Sequence, residues 1–136
     1  MEPQQAPHIP EPPYYLSGYA IDEWCLVAGE LYRLGLLTVV DTAALAAYCQ
    51  AFNKWRLAEE ALKKMADRDP VMHGFVIKRL NGEAAHNPLV SQARRAAQDM
   101  LRLSAEFGFT PAARARIAMG VGVGGPIDAK FGDLLA

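Results

Sequence analysis

Apolar residues recur along this chain at three- and four-residue intervals, interrupted by short breaks. From about Gly18 to Leu34, Ile21, Trp24, Cys25, Ala28, Leu31 and Tyr32 fall at i, i+3, i+4 and i+7, with Asp22, Glu23, Glu30 and Arg33 on the other side. The spacing predicts an amphipathic helix stopped at Gly35. A longer helix is predicted after Asp41, a good N-cap, running to about Asp67, or about 40 Å. Leu45, Tyr48, Phe52, Trp55, Leu62 and Ala66 carry its alternation, broken only by Glu59. Its first half is apolar on the other side as well, through Ala46, Ala47, Ala51, Leu57 and Ala58. A helix apolar on more than one face is buried on more than one face. In so short a chain a second subunit is the expected cover, and enclosure by the chain's own elements is the alternative. Leu45, Tyr48, Phe52, Trp55 and Leu57 are therefore the candidate oligomer interface.

The second half of that helix turns polar, with Glu59–Lys63 and Glu60–Lys64 spaced as favourable i,i+4 pairs. Asp69-Pro70 breaks it. Gly74 to Arg79 reads as a strand, Asn81-Gly82 as a tight turn, and Ala84, Ala85 and His86 as the return strand. A lone hairpin is marginal in water, so this one, at about 74–86, is expected to pack on a helix or a neighbouring subunit. After Asn87-Pro88 a third helix is predicted from about Leu89 or Ser91 to Phe107, with Val90, Ala93, Ala97, Met100, Ser104 and Phe107 on one face and Leu101 beside it. Gly108 stops it, and Thr110-Pro111 opens a short fourth helix to about Met119.

The helical domain so defined covers 17–119. It is flanked by a Pro-rich flexible arm at 1–16, which holds five of the nine prolines, and by a Gly-rich flexible tail at 120–136. Tyr14, Tyr15 and Leu16 are placed to dock where the fold begins. Phe131, Leu134 and Leu135 form a small apolar cluster at the end of the tail, a candidate docking segment for a partner. With 136 residues the chain fits one domain with a real core.

Charge sharpens this picture. The net charge is −1, yet residues 1–50 hold six acids and one base, whereas residues 51–116 hold twelve bases and seven acids. A basic central segment beside an acidic first third suits a polyanion-facing surface. Cys25 and Cys49 both fall inside predicted helices and read as small buried hydrophobes of a reducing compartment, not as a disulfide framework. No basic leader followed by an apolar run is present, and no stretch approaches the ~18 apolar residues of a membrane span.

Candidate chemistry is sparse. The run Gly120 to Pro126 lacks the strand before it and the helix after it that a dinucleotide fingerprint needs. His8, His73 and His86 have no ligand spacing to one another or to either cysteine, so no metal and no cofactor is expected. No serine or cysteine has a recognisable elbow or base partner, and the carboxylates Glu59 and Glu60 point to adjacent helix faces. The expectation is a non-enzyme. What remains is the basic set. Arg95 and Arg102 share one face of the third helix with Asp99 between them and Arg94 alongside. These three arginines are the first candidates for contact with a phosphate backbone, followed by Lys54 and Arg56, then Arg114 and Arg116.

Across about residues 14–119 the chain resembles the phage terminase small subunit family of tailed bacteriophages. The resemblance is carried by Trp24, Leu31 and Gly35, by Asp41, Leu45, Tyr48, Cys49 and Trp55, by Asn87-Pro88, and by Phe107-Gly108-Phe109-Thr110-Pro111 with Ala113-Arg114 and Arg116. It implies a non-catalytic subunit of the DNA packaging motor that forms rings in the host cell cytoplasm. Such a subunit recognises double-stranded viral DNA and regulates the terminase large subunit, an ATPase and nuclease. The expected fold is mainly α, a helical domain with a long central helix and one β-hairpin, assembling into a cyclic homo-oligomer without a membrane. The alternatives are an oligomeric adaptor without direct DNA contact and a phage DNA-binding regulator.

Overall fold

The computed structural model describes residues 7–107. Three helices and one hairpin make up this region: α1 (Tyr19–Arg33), α2 (Thr42–Arg68), β1 (Val76–Lys78), β2 (Ala84–His86) and α3 (Pro88–Glu106). The mainly helical class with a single two-stranded hairpin is as expected. The predicted fourth helix, and with it Arg114, Arg116, Phe131, Leu134 and Leu135, lies outside the described residues.

α2 is the axis, with α1 packed on one part of its surface and α3 on another. The core gathers where its N-terminal half meets both neighbours. Trp24, Leu31, Leu37, Leu45 and Cys49 are its largest fully buried side chains, and Phe107 closes it from the end of α3. Enclosure by the chain's own elements therefore accounts for much of α2. Leu45 has no exposed surface and Tyr48 very little, so in this conformation neither offers a face to a neighbour. Within this core Tyr48 donates a 2.7 Å hydrogen bond from its hydroxyl to Glu23 Oε2. Burial, reinforced by that carboxylate, raises the Tyr48 hydroxyl pKa well above the ordinary tyrosine range. Burial also pushes the Cys49 thiol up to about 12.

Two local expectations are corrected. The buried face of α1 is Ala20, Trp24, Val27, Ala28 and Leu31, whereas Ile21 and Cys25 are exposed. With Ile21, Cys25 and Leu26 all apolar, the helix carries more apolar residues than one stripe, so periodicity alone left the facing direction open. Cys25 is thus a surface thiol and only Cys49 is a core residue. Asp41 does precede α2, but its carboxylate does not cap it. Asp41 Oδ2 accepts from the Thr38 backbone N–H at 3.1 Å and from Thr38 Oγ1 at 2.6 Å, forming the capping box of the short 3-10 turn Val39–Asp41.

The start of α1 is held from a distance. Asn53, on α2, accepts from the Tyr19 backbone N–H at 3.2 Å, which supplies the cap that Gly18 has no side chain to provide. Nearby, the Arg56 guanidinium lies 4.1 Å over the Tyr19 ring, and Tyr19 donates at 2.6 Å to the Glu60 oxygen that pairs with Arg56 Nε at 3.4 Å. Preceding α1, Leu16 enters the core as expected, while Tyr14 and Tyr15 remain exposed.

The hairpin is fastened at its base. Asn87 is buried, and its side chain donates to the Gly74 carbonyl at 2.8 Å and accepts from the Leu89 backbone N–H at 3.0 Å. Its own backbone N–H donates to the Phe75 carbonyl at 2.9 Å. One side chain thus caps α3 and closes the hairpin, with Pro88 in the first helical turn that follows. α3 consequently begins at Pro88, slightly earlier than the pattern indicated. Gly74 takes φ +77°, and a Cβ there would meet Met65 Cβ at 2.6 Å, so the strand and α2 approach at a point only glycine allows. At the other end Leu80 is fully exposed.

Candidate nucleic-acid interface

Along α2, Ala47, Gln50, Ala51 and Lys54 fall at i, i+3, i+4 and i+7, and α3 sets Arg95, Asp99 and Arg102 on one stripe of its own. These stripes face a common groove of about 790 Å³ between the two helices. Its floor is small: Ala51 and Ala96 are both buried, which lets the helices approach closely while longer side chains rise at the rim. Three cations line the groove: Lys54 from α2, and Arg95 and Arg102 from α3. Asp99 offsets part of that charge through a 3.2 Å pair with Arg102 Nη2, in which both side chains are largely exposed. Exposed pairs of this kind are weak and exchange readily for other anions. Lys54 and Arg95 have no ion pair among the described residues.

The structure divides the remaining candidates. Arg94 is exposed but does not line the groove, being about 100° around the helix from Arg95. Arg56 belongs to the cluster with Tyr19 and Glu60, where its guanidinium bridges α1 and α2. Of the proposed oligomer interface, Phe52 and Trp55 are half-buried, with ring centroids 6.1 Å apart, and Leu57 is exposed. Helical geometry sets Phe52 and Trp55 on the opposite flank of α2 from Lys54. The groove's polar side chains Gln50 and Gln92 were not singled out from sequence, although their spacing relative to Lys54 and Arg95 was available there.

The electrostatics of the α1 surface are local. Arg33 and Glu30 pair at 2.6 Å, which lowers the Glu30 carboxyl pKa and raises that of Arg33. The hydrogen bond to Glu60, with a smaller contribution from burial, raises the Tyr19 hydroxyl. Among the described residues no group of three or more His, Cys, Asp or Glu could hold a metal ion, and no helix is long and apolar enough to cross a membrane.

A family model described as phage terminase, small subunit, matches residues 20–122. The chain belongs to that family. Its place is therefore in phage DNA packaging, inside the infected host cell, among small terminase subunits that are as a rule non-catalytic. No curated protein and no solved structure matches the chain. The matched span takes in α1 but for its first residue, α2, the hairpin, α3 and the α2–α3 groove.

Proposed function

We propose that this small terminase subunit recognises double-stranded viral DNA through the groove between α2 and α3 and regulates the large ATPase/nuclease subunit without chemistry of its own. It works as a cyclic homo-oligomer in the host cytoplasm. The observation that carries the reading is the convergence of Lys54, Arg95 and Arg102, from two helices, on one groove within a family devoted to packaging. Each cation would meet a phosphate oxygen, and Asp99 would release Arg102 as a phosphate takes its place.

One protomer brings few charges, so its affinity alone is weak. Repetition around a ring turns a few phosphate contacts per chain into many on one duplex. The half-buried pair Phe52 and Trp55, with exposed Leu57, is the surface left for a neighbouring protomer. The segment with Phe131, Leu134 and Leu135 is proposed to dock on the large subunit.

The test is fluorescence anisotropy with labelled phage DNA across a salt series, comparing the native protein with the Lys54→Ala, Arg95→Ala, Arg102→Ala triple variant. The native protein should lose affinity steeply with salt, and the variant should bind at least about tenfold more weakly with a shallower slope. An unchanged affinity and slope would remove the groove from DNA recognition. An absence of salt-sensitive binding in the native protein would favour the adaptor alternative. Native mass spectrometry supplies the subunit number, and a monomer at micromolar concentration would sink the ring.

A further inference from the structure

The Pro-rich arm is bound to α1 in a manner that its sequence explains. Pro7, Pro10 and Pro13 stand three residues apart. Pro7 and His8 lie in a bend and residues 9–13 have no helix or strand pairing, and a proline-rich stretch of this kind has few N–H groups of its own, which leaves its carbonyls open to outside donors. Two of the three carbonyls are met by side chains of α1 and the third by the local turn that ends the arm. Tyr32 donates its hydroxyl to the Pro7 carbonyl at 3.1 Å, Trp24 Nε1 donates to the Pro10 carbonyl at 3.0 Å, and the Leu16 backbone N–H donates to the Pro13 carbonyl at 3.1 Å.

Trp24 and Tyr32 are two α-helical turns and a little more apart, about 12 Å of rise, while Pro7 to Pro10 reaches about 10 Å at most. The arm therefore crosses α1 obliquely and in the opposite direction. Flat aromatic rings that also carry an N–H or O–H are the usual readers of proline-rich segments, because ring faces take the pyrrolidines while the polar tip takes a carbonyl. Trp24 is only 1% exposed with the arm in place. Between the arm and the core anchor Leu16 lies Tyr14, which is 96% exposed and meets only the Tyr15 ring, edge-on at 5.5 Å, among the described ring contacts.

We propose that Trp24 and Tyr32 form a site on α1 that reads the carbonyls of a proline-rich segment and that its ligand is this chain's own segment Pro7–Pro13, a tethered strap that releases about the Tyr14–Tyr15 junction. The inference is independent of the DNA reading. A segment of the same proline spacing supplied in trans competes for the site, but against a tether whose effective concentration is in the millimolar range.

The experiment follows solvent exchange of the two indole N–H protons by NMR in the full-length protein, with Trp55 as the internal reference. In the native protein the Trp24 proton should exchange at least about tenfold more slowly than that of Trp55. In the full-length variant with Pro7, Pro10, Pro12 and Pro13 all replaced by alanine, that protection should fall to near the Trp55 rate, with helical circular dichroism retained. Millimolar peptide of residues 7–15 should then restore it, and a peptide of scrambled proline order should not. Tyr32→Phe, which deletes only a hydroxyl at the surface, should speed exchange at Trp24 about threefold, and it serves as the test should the alanine arm fail to fold. Equal exchange of the two indoles in the native protein, protection that survives both variants, or equal rescue by the scrambled peptide would each overturn the proposal.

Discussion

The two halves of α2 are held in different ways. The N-terminal half buries Leu45, Ala46, Tyr48 and Cys49 in a cluster with Trp24, Leu31, Leu37 and Phe107. In the C-terminal half Ala58 is the only fully buried hydrophobic residue after Ala51 among the described residues, and the attachment to the hairpin and α3 passes through Asn87, Gly74 and Met65. One half rests on apolar area, the other on a few directional contacts. Area-based packing tolerates small shifts and loses stability in proportion to the volume removed, whereas a polar clasp fails as a unit. The groove lies across the middle of the helix, so its cations are carried on a firmly packed surface on one side and on the less deeply buried α3 on the other.

The sharpest way to break the contrast is at its packed end. Leu45→Ala removes a side chain with no exposed surface and should lower the unfolding free energy by about 3 kcal/mol, within the range seen for buried leucine truncations. Urea titration followed by circular dichroism measures it. A loss below about 1 kcal/mol would mean that the N-terminal half is not where stability resides.

At the other end, Asn87→Ala removes the α3 cap and leaves the Gly74 carbonyl without that partner, a loss of about 2 kcal/mol. The effect should be regional. Hydrogen exchange should accelerate in β1, β2 and the first turn of α3 and hold steady in α1. Gly74→Ala should behave alike, since its Cβ would fall 2.6 Å from Met65 Cβ at a backbone angle that disfavours alanine. Uniform acceleration across all three helices would instead make the molecule one cooperative unit.

These two regions were also unequally legible in the sequence. The hairpin was visible because Asn81-Gly82 and Asn87-Pro88 are local signals whose consequences stay within a few residues. The helices were visible because three-and-four spacing is a property of the chain alone. The facing of α1 was not, because Ile21, Cys25 and Leu26 broaden its apolar stripe and only packing against α2 and the arm chooses among directions. The basic groove was half legible: Arg95, Asp99 and Arg102 share a helix and could be aligned, but joining Lys54 to them requires knowing that α3 packs antiparallel on α2. For the same reason Arg56 and Arg94 looked equivalent to Lys54 and Arg95 until the neighbouring elements separated them. The three-residue proline spacing was present in the sequence, but its readers, Trp24 and Tyr32, became apparent only when the arm was seen against α1.

The packed half also carries a pH signature. The Cys49 thiol is raised from 9.0 to about 12 and the Tyr48 hydroxyl is raised from 10.0. With both pKa values raised, the folded chain holds protons that the unfolded chain releases first. The stabilisation is fully present below pH 9 and is lost as pH climbs from there toward 12. By pH 10 the loss should be about 2 kcal/mol in a denaturation series, and Cys49→Ser with Tyr48→Phe should flatten the slope. A native slope as flat as that of the double variant would place both groups in contact with water. Thiol labelling offers a companion readout: at pH 8 the exposed Cys25 should react rapidly and Cys49 only on unfolding.

The smallest stability effect is expected at the groove. Lys54, Arg95 and Arg102 are exposed at its rim, and the one ion pair among them joins side chains that are 71% and 49% exposed. Pairs of that exposure contribute little to folding, so the triple alanine variant should unfold within about 0.5 kcal/mol of the native protein. Removing three like charges from neighbouring helices also relieves repulsion, which works against any loss of packing by the side-chain stems. A near-neutral change in stability together with a large loss of DNA affinity would assign the groove to binding and the packed half of α2 to holding it in place. A loss of 2 kcal/mol or more would show instead that the aliphatic stems of these residues seal the α2–α3 seam, and the DNA defect would then have to be measured again with Lys54→Gln, Arg95→Gln and Arg102→Gln, which keep the stems and remove only the charge.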